Sequence, residues 1–231
     1  RQRQMCIRDR ALEQGELTVA LTPERLAAAQ ASGWLEGDAS PLLLQGDRLG
    51  WRRWLQAMEQ VVAELVKRAQ APLPKPVEAA DPELSDRLNA EQCAAVCALD
   101  QASVVLLSGG PGTGKTSTVV EILARAEARH PGLRIGLAAP TGKAARRLGE
   151  AVMAQRAPLP CSTLHRWLEA GSRGFGRHRQ RPLELDLLVI DEMSMLDLAL
   201  TQALLEALPS GCRLLLVGDP AQLPPVGSGA V

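Results

Sequence analysis

The chain has 231 residues, of which 46% are hydrophobic, and its formal net charge at pH 7 is zero. This length and composition suffice for the core of one large domain, or of one domain with a smaller companion. Zero net charge excludes a protein that binds nucleic acid through bulk positive charge, so any DNA contact must come from local charge placement. Five scattered cysteines match neither a disulfide framework nor a zinc pattern, which predicts a reducing, cytoplasmic location. We expect neither a membrane span nor a signal peptide.

The beginning of the chain predicts a tail followed by a small helical region. Residues 1–10 are almost all polar or charged and lack periodicity, so we expect a disordered or non-native tail outside the fold. Residues 11–70 predict a small, mostly helical, partner-binding region. Within it Thr22 is the predicted N-cap of a helix that ends near Gly33, and residues 42–49 predict a hairpin.

An apolar stripe at helical spacing follows the hairpin. Its members are Trp51, Trp54, Leu55, Met58, Val62, Leu65 and Val66. A helix face turned to the core is the favoured interpretation. A partner-docking face is the alternative, because two tryptophans stand in a region too small for a generous core. Prolines at alternate positions then predict an extended linker over residues 71–84.

After the linker, residues 85–231 alternate between predicted strands and predicted helices. Helices are predicted at 89–100 and 116–129, and strands at 103–107, 133–139, 185–190 and 213–217. The alternation predicts an α/β fold with a mostly parallel sheet covered on both faces. In such sheets, ligands bind beyond the carboxyl ends of the strands.

The most informative segment joins the first of these strands to its helix. Residues 108–116 read SGGPGTGKT and fit the pattern G-x-x-x-x-G-K-[ST], in the strand-then-helix context in which that pattern binds nucleotide phosphates. We expect Lys115 to meet the β- and γ-phosphates and the Thr116 hydroxyl to hold Mg²⁺; a glycine-rich turn without function is the alternative. The predicted nucleotide contacts are Gly109, Gly110, Pro111, Gly112, Thr113, Gly114, Lys115 and Thr116.

Two later strands end in polar residues suited to phosphoryl transfer. Asp191 is the predicted second ligand of Mg²⁺, and Glu192 is predicted to orient the attacking water. Alone, such a pair is often a solvated turn; beside a phosphate loop it points to ATP hydrolysis. Asp197 is predicted to cap the next helix. Gln222 follows the fourth strand as a predicted sensor of the γ-phosphate, with a proline-stiffened turn as the alternative.

These segments together resemble the superfamily 1 helicases, and the resemblance rests on residues 109–116, 139–145, 191–192 and 218–225. Residues 162–166 and 191–197 narrow it to the RecD family, the alpha subunit of exodeoxyribonuclease V. The resemblance is specific from residue 88 onward and loose before the linker. It implies a RecA-like P-loop domain, the first of two motor domains and here incomplete. It also implies an ATP-dependent 5′→3′ DNA helicase subunit that acts in DNA recombination and repair with RecB- and RecC-like partners.

The same resemblance assigns further residues. Gln92 is expected to read the adenine edge, although its spacing from Asn89 equally fits a helix capping box. One of Arg146 and Arg147 is expected to assist at the DNA and the other to be solvated. The basic segment 171–181 is balanced between DNA contact and plain surface. The expected contacts to single-stranded DNA or duplex ends are Pro140, Thr141, Gly142, Lys143, Thr163, His165 and Arg166.

Three other functions stay open. A stand-alone RecD-like helicase and a mainly structural subunit of a nuclease complex both fit the motifs. A phosphate-loop kinase is disfavoured by residues 140–143 and 222–225. Because the resemblance places a catalytic arginine in a second motor domain, we expect residues 1–231 alone to bind Mg-ATP weakly and to hydrolyse it poorly.

Overall fold

The computed structural model describes residues 17–35, 37, 40–73 and 88–219. The tail at 1–10, most of the linker at 71–84 and Gln222 lie outside these ranges, and the predictions about them stay predictions. The chain forms two compact units. The described residues of the first unit fall within 17–63 and 195–202, and those of the second within 64–194 and 203–219.

The first unit contains a small antiparallel sheet. Its strands β1 (Thr18–Ala20), β2 (Leu42–Gln45) and β3 (Arg48–Trp51) are arranged in the order β1-β3-β2. The predicted hairpin is confirmed as β2 and β3. Gly46 takes a φ of 63° at the first position of its two-residue turn, where glycine costs least. Helix α1 (Pro23–Gln30) begins after Thr22, as predicted.

Helix α2 (Arg52–Ala69) begins in the first unit and ends in the second. Its predicted core stripe is wrong at two positions, because Val62 and Val66 are 50% and 49% exposed. The buried residues of α2 are instead Leu55, Val61 and Arg68, which do not lie on a single stripe of the helix. Arg68 donates hydrogen bonds to three backbone carbonyls, and these bonds turn its side of the helix inward.

The second unit is built on five parallel strands in the order β4-β10-β9-β5-β6, which confirms the predicted α/β class. Every residue of β5 and β9 is buried, as strands covered on both faces require. The strands are β4 (Val104–Ser108), β5 (Ile135–Ala139), β6 (Cys161–Thr163), β9 (Leu187–Ile190) and β10 (Arg213–Gly218). A two-stranded hairpin, β7 (Ala170–Gly171) and β8 (Gly174–Phe175), lies between β6 and β9 in the chain.

Helices connect the strands of this sheet. They are α3 (Ala90–Ala98), α4 (Lys115–Arg129), α5 (Gly142–Met153), α6 (Leu164–Trp167) and α7 (Leu198–Ala207), with a 3₁₀ turn at Met193–Met195. The core forms where α4 contributes Ile122 and Leu123 against Leu137, Val189 and Leu215 of the strands, all at most 1% exposed. No helix within the described ranges has both the length and the apolarity needed to cross a bilayer.

The strand order brings the motif-bearing turns together. Parallel strands have their carboxyl ends at one edge, and β10 lies between β4 and β9. The turns after β4 and β9 are therefore two strand positions apart at that edge, with Gly218 at the end of β10 between them. This is the edge at which ligands bind in such sheets.

Candidate nucleotide-binding site

The segment 109–114 folds as a closed loop between β4 and α4. Lys115 Nζ donates hydrogen bonds to the carbonyl oxygens of Gly109 at 2.5 Å and Gly110 at 2.8 Å. Thr113 Oγ1 donates to the same Gly110 oxygen at 2.9 Å. Gly114 precedes the helix with a φ of 80°, a conformation that favours glycine. The loop thus holds the lysine ammonium against its own carbonyl oxygens.

The first turn of α4 provides donors for an anion. The first N–H groups of a helix lack partners within the helix, and its dipole is positive at that end. No side chain in the described ranges caps α4, which is 15 residues long. The Gly109 N–H donates to Gly218 O at 3.3 Å and so ties the loop to β10. The uncapped first turn of α4 thus directly follows the glycine-rich loop and begins with Lys115, an arrangement that suits a phosphate.

Gln92 contacts both its own helix terminus and the phosphate loop. Its Oε1 accepts from the Asn89 N–H at 3.0 Å, and its own N–H donates to Asn89 Oδ1 at 2.8 Å, which forms a capping box. Its Nε2 donates to the Thr113 carbonyl at 3.2 Å. The cap is therefore present, and the adenine contact stays a prediction. The bridge to Thr113 was not predicted, because it depends on how α3 packs.

The acidic pair lies directly after β9. The Asp191 N–H donates to Ala138 O at 2.9 Å, and Asp191 Oδ1 accepts from the Glu192 N–H at 2.9 Å. Burial raises the pKa of Asp191, while the hydrogen bond from Glu192 and the charges of Lys115 and Arg147 act in the opposite direction. Glu192 has a φ of 55°, which is uncommon for a residue with a side chain. Such backbone strain concentrates at functional sites.

A cavity of about 390 Å³ joins the phosphate-loop helix to the acidic pair. Within the described ranges, no cluster of three or more His, Cys, Asp or Glu side chains can hold a metal by itself. Mg²⁺ typically binds through one or two carboxylates together with nucleotide phosphates, and a hydroxyl beside Asp191 fits that arrangement. The cavity is lined by Thr116, Ala144, Arg147, Leu148, Glu150, Ala151, Asp191 and Glu192. Arg147 is the residue whose place in this cavity was not foreseen, because only the fold brings α5 to it.

Two of the predicted DNA segments emerge at the same sheet edge. Strands β5 and β6 are parallel neighbours in which Ala139 pairs with Thr163. Thr141 Oγ1 accepts from the Ala144 N–H at 3.2 Å and caps α5. Thr163 Oγ1 caps α6 in the same way, by accepting from the Arg166 N–H at 3.3 Å. Each cap is thus structural, and their contact with DNA stays a prediction.

The side chains beside these caps are open to solvent. Gly142, Lys143, His165 and Arg166 are exposed, and Pro140 is half-buried. The His165 ring centroid lies 6.4 Å from that of Phe175 in β8. Two arginines of the basic segment are already paired, because Arg177 and Arg181 donate to Glu169 at 2.8 and 2.7 Å. Those hydrogen bonds hold the pKa of Glu169 below its usual value.

The chain is similar to several known proteins. Residues 92–228 match the AAA domain family. The ATP-dependent RecD2 DNA helicase of Deinococcus radiodurans is 47% identical over 142 residues, which cover 62% of this chain and 19% of that protein. The RecBCD enzyme subunit RecD of Mycobacterium tuberculosis is 43% identical over 225 residues, which cover 89% of this chain and 39% of that protein.

A solved structure, the Pif1 helicase of Candida albicans, aligns with a TM-score of 0.45 at 26% identity over 61% of this chain and 34% of that one. At that score the alignment adds nothing to the sheet topology described above. The chain spans about two fifths of the length of the mycobacterial RecD relative.

Proposed function

Because this chain belongs to the AAA domain family, and so carries a nucleotide-binding domain, we propose that it is the ATP-binding part of a RecD-type DNA helicase subunit. The observation that carries the proposal is one cavity lined by Thr116, Asp191 and Glu192 beside the loop that holds Lys115. Phosphoryl transfer needs three kinds of group in one place. These are hydrogen-bond donors that hold the phosphates, ligands for the metal ion, and a residue that orients the attacking water.

Each group has one task in the proposed hydrolysis. The glycine amides of the loop and Lys115 bind the β- and γ-phosphates and fix their orientation. Thr116 and Asp191 would hold Mg²⁺, which neutralises charge on the transferring phosphoryl group. Glu192 orients the attacking water and accepts its proton as the water oxygen bonds to the γ-phosphorus, while the bond to the β–γ bridging oxygen breaks and ADP leaves. Gln222 is proposed to sense the γ-phosphate.

Two substitutions in the intact protein test this assignment. Lys115→Gln should lose most nucleotide affinity, because the phosphates lose their cation. Glu192→Gln should bind nucleotide as the wild type does and reduce kcat about 10²–10⁴-fold, because it removes only the base. Binding is measured with a fluorescent ATP analogue and turnover by phosphate release. Lys67→Gln is the charge-matched control, since Lys67 is 76% exposed. Wild-type hydrolysis by Lys115→Gln would contradict the assignment.

We propose that single-stranded DNA, or the end of a duplex, binds along the carboxyl edge of β5 and β6. The exposed Lys143 and the first turn of α5 supply phosphate contacts there, and Arg166 supplies a second charge. The direction of travel, 5′→3′, is carried only by the resemblance to RecD. Lys143→Ala should weaken binding to all sequences alike and reduce its salt dependence; an effect confined to one sequence would contradict a phosphate contact.

The partners are also a proposal. Similarity to a RecBCD subunit over 89% of this chain favours RecB- and RecC-like partners in DNA recombination and repair, and the four described cysteines are free thiols, as suits the cytoplasm. The identity of 47% to RecD2 favours a stand-alone helicase instead. Co-purification of the tagged, full-length protein from its own cells separates the two. Stoichiometric larger subunits support the complex, and a lone, active helicase supports the alternative.

A further inference from the structure

We propose that Arg147 is a positioning residue that couples DNA held at the start of α5 to the acidic pair after β9. The inference rests on the proposed function, since it needs a nucleotide at the cavity and DNA at the helix terminus. One helix, α5, reaches both places. It begins at Gly142, in the segment proposed to hold DNA, and Arg147 on it lines the cavity with Asp191 and Glu192.

The spacing on α5 suits this task. Lys143 and Arg147 are four residues apart, so they lie on successive turns of one helix face, about 6 Å apart along the axis. The opposite side of α5 is fixed, because Ala145, Leu148 and Val152 are buried. A helix packed along one side keeps its residues in fixed positions relative to one another. A phosphate bound at Lys143 therefore acts on the position of Arg147 through the helix itself.

Arg147 shares its cavity with three carboxylates that it could orient. Glu150 on its own helix and Asp191 and Glu192 from the sheet edge line the same cavity. A guanidinium stays protonated and presents a planar fork that fits carboxylates in fixed orientations. Arg147 can thereby hold Glu192 in one orientation toward the nucleotide. Arg146, also exposed, does not line the cavity and has no such neighbours there.

Coupling between two sites is measured as a change in affinity and is reciprocal. If Arg147 carries it, nucleotide should change the affinity for DNA in the wild type, by the 5–150-fold that is typical of such coupling. Arg147→Gln should bring that factor close to one. The factor is a ratio of two Kd values for one variant at saturating nucleotide, so a change in the affinity of Arg147→Gln for either ligand alone does not alter the comparison.

The experiment uses the intact protein and a fluorescent dT oligonucleotide. Anisotropy gives the Kd for the oligonucleotide with and without Mg²⁺ and a non-hydrolysable ATP analogue. Arg146→Gln is the matched control and should keep the wild-type factor; thermal unfolding confirms that both variants are folded. A wild-type factor retained by Arg147→Gln overturns this inference alone. A wild type that binds neither ligand overturns the proposed function and this inference with it, whereas a wild type that binds both ligands without coupling overturns this inference alone.

A second variant separates positioning from simple charge balance. If Arg147 only neutralises Glu150 on its own helix, then Arg147→Gln combined with Glu150→Gln should restore the wild-type factor, and this result would overturn the inference. If Arg147 acts on the acidic pair, the double variant should remain uncoupled. Glu150→Gln alone should keep most of the coupling, because Arg147 still faces Asp191 and Glu192.

Discussion

Arg68 lies on helix α2 and supplies hydrogen-bond donors to the end of helix α7. It is 4% exposed, and its guanidinium donates to the carbonyl oxygens of Leu205, Leu208 and Pro209 at 3.0, 2.9 and 2.7 Å. These carbonyls lie at and just beyond the end of α7, where a helix leaves acceptors without partners and its dipole is negative. Glu64, one turn earlier on α2, lies 3.0 Å from Arg68 Nε. The cation therefore closes the end of α7 from outside that helix.

Replacing this cation should cost stability without affecting the nucleotide site. Arg68→Met keeps much of the side-chain volume but leaves three carbonyls and Glu64 without their partner. Leaving a buried hydrogen-bond acceptor without its partner costs about 1–3 kcal/mol, so the free energy of unfolding should fall by at least that much. Urea unfolding of the intact protein measures the loss, and nucleotide affinity should be unchanged. The control Lys67→Met, at a position that is 76% exposed, should change stability by less than about 0.5 kcal/mol. Equal unfolding curves for the two variants would refute the role of Arg68.

At the scale of elements, an ion pair holds two buried strands in register. Arg134 directly precedes β5 and Asp186 directly precedes β9, and these strands pair with Ile135 opposite Leu187. Arg134 donates from Nε and Nη2 to the two carboxylate oxygens at 2.9 and 2.8 Å, and its N–H donates at 2.9 Å. Strands that are apolar on both faces have no alternation that fixes their register. The ion pair between Arg134 and Asp186 favours the observed register at the amino-terminal ends of β5 and β9.

This pair should make stability depend on pH in a defined direction. The hydrogen bond from Arg134 is the largest cause that lowers the pKa of Asp186 from its ordinary value of 3.8. A carboxyl whose pKa is lower when folded stabilises the protein above that ordinary value, and the contribution is lost as the pH falls through the folded value. Asp186→Asn should therefore unfold at a lower temperature than the wild type at pH 7.

The difference between Asp186→Asn and the wild type should shrink as the pH falls below 3.8. Thermal unfolding across that range, followed by circular dichroism, measures it. Glu184→Gln provides the control, because Glu184 is exposed and close in sequence but makes no such hydrogen bonds in the described part of the chain. A gap that stays constant at acid pH would show that the asparagine acts through packing and not through the charge.

The sequence predicted the elements whose signals are local. Four of the five strands of the large sheet, β4, β5, β9 and β10, are apolar runs, and the phosphate loop fixes where the first one ends. Strands β1 and β6 were missed because each has three residues, too few to show a period. The stripe on α2 is wrong at Val62 and Val66, while Arg68 of the same helix is buried and binds carbonyls about 140 residues away, a contact that no local pattern reveals.

Some features of the candidate site could be predicted from local motifs, and others depend on tertiary packing. Lys115, Thr116 and Asp191 were predicted because their motifs are contiguous and follow predicted strands. The bridge from Gln92 to Thr113 and the entry of Arg147 into the cavity depend on how α3 and α5 pack. Both residues were noted in the sequence, yet their contacts are set by tertiary structure.

At the scale of the molecule, the second unit contains the phosphate loop, the acidic pair and the cavity. All of them lie at the carboxyl edge of one parallel sheet, while the ion pair of Arg134 and Asp186 lies at the other edge. A ligand that binds only the folded state stabilises it by about 2.7 kcal/mol at 100 times its Kd. Because all the strands run in one direction, we expect a bound nucleotide to reduce local opening mainly at the carboxyl edge of the sheet.

Hydrogen exchange of the intact protein should show protection by nucleotide at the carboxyl edge of the sheet. With Mg²⁺ and a non-hydrolysable ATP analogue, amides of residues 109–116 and 191–192 should exchange more slowly, because ligand contact closes their local openings. Amides of the hairpin β7–β8 should exchange as before, since its residues 170–171 and 174–175 are exposed and open locally. Lys115→Gln should lose the slowing at both segments at the same nucleotide concentration. Slowing of the hairpin equal to that of the loop would place the nucleotide elsewhere on the unit, and slowing retained by Lys115→Gln would remove the lysine from the binding site.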